Sequence, residues 1–242
     1  MRAGSGPAAL AGPDPASLRA ALDSVIDPEL DESLVRLGFV EGLRIEGSRV
    51  LVELRLPTFW CAPNFAYLMA RDARDRLRQV EGVEDVEVVL KDHFASNEIS
   101  QAATGGRPFE ETFAGEANGN LDGLRALFRR KAYLMRLERL IRFLLESGLS
   151  DEEVTALRVG DVEGWHDELV QSYLTRRREF GLSTDGSARL VMDARGRAIY
   201  AGGLAEFLRG ARRQRISTEL NASFCRGMLA TRYGLPTREG RG

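Results

Sequence analysis

The sequence predicts an α+β protein: a small helix-strand-strand-helix-strand domain, followed by a mostly α-helical second domain with one short β-hairpin. Three observations carry this. Before residue 92, three short runs alternate apolar with polar residues, and helical spacing recurs around them. After residue 118 helical spacing dominates. The charge also changes sign: residues 1–117 carry 12 Lys+Arg against 20 Asp+Glu, and residues 118–242 carry 22 against 16, so the overall −2 conceals two oppositely charged halves.

Residues 1–15 are mostly Ala, Gly, Pro and Ser, too poor in large apolar groups to offset the entropy of ordering, and read as a disordered leader. From Asp14-Pro15, Leu18, Ala21, Leu22 and Val25 follow i, i+3, i+4, i+7, which predicts a helix that stops at Asp27-Pro28. Phe39 to Ile45 and Val50 to Leu56 alternate around Glu46-Gly47-Ser48 and predict a hairpin. Helical period returns over 63–79, closed by Glu81-Gly82, and Val83, Val86, Val88 and Leu90 predict a third strand. These elements form the first domain, residues 16–92, with one sheet faced by helices.

Residues 93–117 are rich in Gly, Ser, Thr and Asn and read as a linker or long loop. The second domain, 118–235, opens with an amphipathic helix to about Glu146, with Leu134, Leu137, Ile141 and Leu144 on one face. Ser150-Asp151-Glu152-Glu153 is a capping box for a short helix, and 165–180 read as another. Arg189 to Met192 and Ala198 to Tyr200 read as the hairpin, turning at Asp193-Ala-Arg-Gly196, and helices over about 203–214 and 217–233 complete the domain.

Several function classes are excluded. No apolar run reaches the roughly 18–20 residues of a membrane helix, which points to a cytoplasmic chain without membrane contact. Two cysteines far apart make neither a disulfide framework nor a CxxC metal site. Of the 34 basic residues only Lys91 and Lys131 are lysine, a bias that GC-rich coding explains. The Arg176-Arg-Arg178 and Arg212-Arg213-Gln-Arg215 clusters lack interleaved aromatics, so they read as solvated faces or a protein-docking surface, with no nucleic acid as partner. Ser147 to Asp161 looks like the helix-turn-helix stretch of tyrosine recombinases, but no His-x-x-Arg element accompanies it. Phosphate loop, GxSxG elbow, paired-His helix and Ser/His/Asp set are all missing, and the chain does not read as a self-contained enzyme.

The candidate chemistry lies in the first domain. Asp27 can accept backbone N–H bonds at a helix start, with Pro28 at the first helical position and Glu29 at the positive end of the dipole. Cys61 follows a strand and precedes Ala62-Pro63, where unpaired helix N–H groups would stabilise a thiolate, the form that binds metal; a small buried hydrophobe is the other reading. His93 and His166 lack metal-ligand spacing and read as solvated, yet His93 leaves the last strand of the same domain and so can approach the sheet end. Cys225, near Phe224 and Met228, reads as helix core.

In this order and spacing, Asp27-Pro-Glu-Leu30 with Leu37-Gly-Phe-Val40, Thr58-Phe-Trp-Cys-Ala-Pro63 and Gly82-Val-Glu-Asp-Val-Glu-Val-Val-Leu90 resemble the iron-sulfur cluster assembly factor family that includes PaaD and SufT, over roughly residues 16–92. The resemblance implies cofactor-binding roles for Asp27, Glu29, Thr58 and Cys61, with Cys61 and His93 as candidate metal ligands and iron or an iron-sulfur cluster as a transient cargo. Relatives carry Pro-Gly before the Cys and Pro directly after it, whereas Phe59-Trp60 and Ala62-Pro63 stand here; aromatics there suit shielding a cluster or docking a partner. The implied function is a non-catalytic maturation factor for a protein client, with a di-iron oxygenase component as the first client class. A metal-free adaptor or chaperone binding an oxygenase component is the alternative. A one-cysteine site also points to a homodimer sharing a cluster.

Overall fold

The computed structural model describes residues 12–113, 121–162, 164–165 and 168–235. Two compact units divide the chain: Met1–Leu121 together with Asn221–Gly242, and Asp122–Leu220. Among the described residues no helix is long and apolar enough to cross a membrane.

In the first unit α1 (Pro15–Asp23) is capped by Asp14, whose carboxylate accepts from the N–H groups of Ala16 and Ser17, so the last residues of the expected leader are structured; residues 1–11 of that leader lie outside the described residues. A two-residue strand β1 (Ile26–Asp27) pairs antiparallel with β2 (Glu32–Ser33), and α2 (Leu34–Leu37) follows, capped by Ser33. Asp27 starts a turn rather than the expected helix. The helix begins six residues later at Ser33, whose hydroxyl accepts from the N–H groups of Val35 and Arg36.

The main sheet runs in the order β3 (Val40–Glu46), β4 (Arg49–Arg55), β5 (Asp85–Lys91). β3 and β4 form the expected hairpin, with Ile45 opposite Val50, while β4 and β5 run parallel, joined through α3 (Pro63–Leu77). Val50, Val52 and Leu54 of β4 and Val86, Val88 and Leu90 of β5 point to the buried face, as period-2 alternation requires. The opposite face carries the ion pairs Arg49–Glu87 (2.6 Å) and Lys91–Glu53 (3.0 Å).

The expected linker is largely structure. Residues 96–113 form α4 (Ser96–Gly105) and α5 (Phe109–Thr112), and Ile99, Ala102, Ala103, Phe109 and Phe113 join the first core. The polar residues that give the stretch its loop-like composition have specific partners. The N–H groups of Val88 and Leu90, along β5, donate to the hydroxyls of Thr104 and Ser100 on α4, each at 2.9 Å. One helix face thus satisfies the free edge of the sheet. Residues 114–117 of the expected linker lie outside the described residues.

The second unit is mostly helical, as expected: α6 (Leu121–Glu146), α7 (Asp151–Ala156) with its capping box, a 3-10 turn at Val159–Val162, α8 (Glu168–Glu179), and the first part of α9 (Ala201–Tyr233). One expectation is met in reduced form and one fails. The hairpin over 189–200 is short: the chain reverses at Asp193–Gly196 with the antiparallel bridge Met192–Ala198 and the backbone bonds Asp193 N–H to Arg197 and Ile199 N–H to Val191, and Asp193 draws the N–H groups of Arg195 and Arg197 onto its own carboxylate. The two helices over about 203–214 and 217–233 are one. Nothing between them breaks a helix, and Thr218 accepts from the Gln214 side chain one turn back.

The arginine clusters are not uniform solvated faces. Arg177 is fully buried, donating to Tyr173 Oη and to the carbonyls of Ser183, Arg189 and Leu190. Arg176 pairs with Glu179 and Arg215 with the buried Glu138, leaving Arg178, Arg212 and Arg213 exposed.

Candidate metal-thiolate site

The carboxyl ends of the parallel strands β4 and β5 open into two loops, residues 56–62 and 92–95. Ligands of open sheets gather at such ends, because the loops there are free of the ladder and can carry reactive groups. Cys61 sits in the first loop, two residues before α3, partly exposed. Its sulfur lies 3.1 Å from the Thr58 hydroxyl, which can donate to it once the thiol has lost its proton. Thr58 and Cys61 are therefore brought together as the sequence suggested.

His93, in the second loop, is buried rather than solvated, and it is not placed as a metal ligand. Its Nε2 lies 2.7 Å from the Cys61 carbonyl oxygen, and its Nδ1 accepts from the N–H of Ala95 at 3.1 Å, so the Nε2–H tautomer uses both nitrogens. The ring braces the backbone under Cys61 instead of offering a lone pair. Burial, with Arg232 nearby, holds its pKa below the usual histidine range, although the bond to Cys61 pulls the other way. Phe94 stacks on it, and the Phe94 N–H donates to the Phe59 carbonyl, tying the two loops together. Phe59, Phe94 and above all Trp60, 71% exposed, stand in the same two loops as Cys61 and His93.

Asp27 closes its turn with one carboxylate oxygen: Oδ1 accepts from the N–H groups of Glu29 and Leu30, each at 2.8 Å, while Oδ2 accepts no hydrogen bond among the described residues. Asp31, at φ 51°, completes the turn by donating its N–H to the Asp27 carbonyl. The Asp27 residue is 6% exposed, and burial pushes its pKa up to about 6, with Glu29 and Glu32 adding to the rise against the pull of the two N–H bonds. Glu29 lies in the turn, exposed.

Cys225, expected as helix core, does pack against the first core, partly buried; what the sequence did not show is that it lies in the same unit as Cys61. The end of α9, from Asn221, belongs to the first unit, and Ala222 and Leu229 are buried in its core. Leu229 lies where Gly38, in the left-handed region at φ 77°, has no side chain: a Cβ there would stand 3.3 Å from its Cδ2. Arg226 pairs with Glu32 at 2.6 Å, and Arg232 donates to the carbonyls of Leu56 (3.2 Å) and Asp92 (2.5 Å). On this same face Cys225 comes close enough to Asp27, Cys61 and Glu29 for their charges to bear on it. With burial as the main cause, its thiol pKa is pushed up to about 11. The signal available in the sequence was the spacing of Ala222, Cys225, Leu229 and Arg232, which only becomes informative once the helix is known to run unbroken.

Among the described residues no group of three His, Cys, Asp or Glu side chains is arranged to hold a metal ion unaided. Both cysteines are free. Residues 15–89 match the family model described as iron-sulfur cluster assembly protein. The matched segment runs from α1 into β5 and contains Asp27, Glu29, Thr58 and Cys61, whereas His93 and Cys225 fall beyond it. No curated protein matches the chain.

Proposed function

We propose that this chain is a non-catalytic maturation factor that takes up iron or an iron-sulfur cluster at Cys61 and passes it to a protein client, a di-iron oxygenase component being the first class to test. The observation that carries this is the placement of Cys61 within the family-matched segment: a partly exposed thiol at the strand ends, with a hydroxyl 3.1 Å from its sulfur and its backbone held by His93. Thiolate sulfur is the donor that suits iron in cluster chemistry. Asp27, Glu29 and Thr58 set the charge and polarity around it, and no turnover belongs to the chain itself. A reducing cytoplasm, where both thiols stay free, is the compartment this chemistry needs.

Anaerobic reconstitution with iron and sulfide, followed by visible absorption, tests the reading. Cluster absorption is expected for the full chain and not for Cys61→Ala, with both folded by circular dichroism. Iron retained by Cys61→Ala to the same extent and with the same absorption as by the full chain would refute it.

The exposed Phe59, Trp60 and Phe94 favour a second reading, a metal-free adaptor that docks an oxygenase component through these rings. Client capture by a chain that never acquires cluster absorption would select it.

A further inference from the structure

We propose that Cys225 is the second thiolate of the site, so that Cys61 from the loop before α3 and Cys225 from α9 bind iron as a pair within one chain. This rests on the reading of Cys61 as a metal thiolate and extends it to a residue 164 positions away, outside the family-matched segment.

The geometry of α9 is the first support. Residues three to four apart share a helix face, and here Ala222, Cys225, Arg226, Leu229 and Arg232 form the face laid on the first unit. Arg226, adjacent to Cys225, is anchored to Glu32 at the end of the Asp27 turn. Arg232, two turns on, is anchored to Leu56 and Asp92, which begin the loops carrying Cys61 and His93. Cys225 is therefore held between the two parts of the site. Its sulfur makes no hydrogen bond among the described residues and is only partly buried, so it is free to ligate.

Packing agrees. Cys61 and Cys225 both lie, partly buried, against the first core, and the buried Ala222 and Leu229 fix α9 there on either side of Cys225. On ligation of Fe²⁺ each thiol gives up one proton to solvent and forms one sulfur–iron bond; no electron is transferred. Two thiolates leave coordination positions for solvent or for ligands of the client, as a site that releases its metal requires.

The experiment uses the full chain, anaerobic, with Co²⁺ as the probe, because the near-ultraviolet thiolate-to-cobalt absorption scales with the number of thiolates bound. One Co²⁺ per chain is expected. Cys61→Ser and Cys225→Ser are each expected to lose about half of that absorption and about tenfold or more in affinity, and the double variant all of the absorption. In the unsubstituted chain Co²⁺ should slow alkylation of Cys225 by about tenfold or more, a readout that stands even if Cys225→Ser misfolds. Cys225→Ser with undiminished absorption, or Cys225 left unprotected, overturns the pair while leaving Cys61 as a ligand. Cys61→Ser and Cys225→Ser both unchanged, or no binding by the full chain, overturns the Cys61 reading as well. One Co²⁺ per two chains with metal-driven dimerisation would assign the second thiolate to another copy's Cys61 and equally refute the intrachain pair.

Discussion

Replacing Asp27 with Asn should make the first unit more stable at neutral pH, by an amount that depends on pH in a defined way. The Asp27 carboxyl titrates near 6 in the fold against 3.8 for the ordinary side chain, because burial penalises its charge. A folded pKa above the unfolded one means that the native state holds the proton more tightly. Its contribution is therefore complete below pH 3.8 and is lost as pH rises through about 6. A shift of about two units corresponds to ~3 kcal/mol, which is what the ionised carboxylate costs the fold above pH 7. In Asp27→Asn the amide keeps a carbonyl oxygen to accept from Glu29 and Leu30 and removes the charge. The stability gap between variant and parent should grow by about 2 kcal/mol between pH 4.5 and pH values above 7. The amide N–H₂ replaces an oxygen that accepts no hydrogen bond, so a fixed offset of about 1 kcal/mol is expected; the slope is the diagnostic. Urea unfolding of the full chain in a Trp165→Phe background, followed by Trp60 fluorescence, isolates this unit, since these are the two tryptophans. A gap that does not change with pH, or that shrinks on raising it, would refute the account of a buried, charge-penalised carboxyl. If the gap has the expected slope, the fold carries a destabilising carboxylate at the site, as a functional group rather than a structural one would require.

Three further outcomes follow from the same geometry. His93→Ala should lose a pH-independent amount of stability above pH 6.5; because the folded pKa of His93 is depressed, the parent's advantage should shrink as pH falls below that value, which the same unfolding series measures. Arg177→Ala should destabilise the second unit by about 3–5 kcal/mol, since it leaves the carbonyls of Ser183, Arg189 and Leu190 unpaired in a cavity; calorimetry of the variant checks this, and a loss near zero would contradict the burial of Arg177. Trp60→Ala should change stability by no more than about 0.5 kcal/mol yet weaken client binding by about 2 kcal/mol, roughly thirtyfold, measured by titration calorimetry against the purified client component.

The parts of the fold that the sequence made legible are those whose signal is local. The alternation of Val50, Val52 and Leu54 and of Val86, Val88 and Leu90, the Gly47 turn, and the Ser150 capping box each lie within a few residues, and each corresponds to an element that formed. The parts that were not legible depend on distant partners. Ser100 and Thr104 read as loop residues because their value lies in the β5 edge that they satisfy, which no window around residue 100 contains. Arg177 reads as surface until the carbonyls of 183, 189 and 190 are seen to surround it. The site divides in the same way. Asp27 and Cys61 could be named from a capping acid and a strand end, and Thr58 only from the resemblance, whereas the buried role of His93 depends on the Cys61 carbonyl and the placement of Cys225 on the course of a 33-residue helix.

That division bears on which piece of the chain is the functional one. The alternation ends at residue 92, so a fragment of residues 14–95 would be the natural minimal domain from sequence. It would remove α4 from the β5 edge, exposing the N–H groups of Val88 and Leu90, and it would uncover the apolar surface that Ile99, Ala102, Ala103, Phe109 and Leu229 now bury. A fragment extended through residue 113 restores the edge and most of that core but still lacks Ala222, Cys225 and Leu229. The family-matched segment therefore supplies one thiol and the Asp27 turn, and the end of α9 is anchored beside them through Arg226 to Glu32 and Arg232 to Leu56 and Asp92. If the thiol pair is the metal-binding unit, fragments ending near residue 113 will fold and yet bind Co²⁺ no better than Cys225→Ser, so their loss of metal should not be read as loss of the domain.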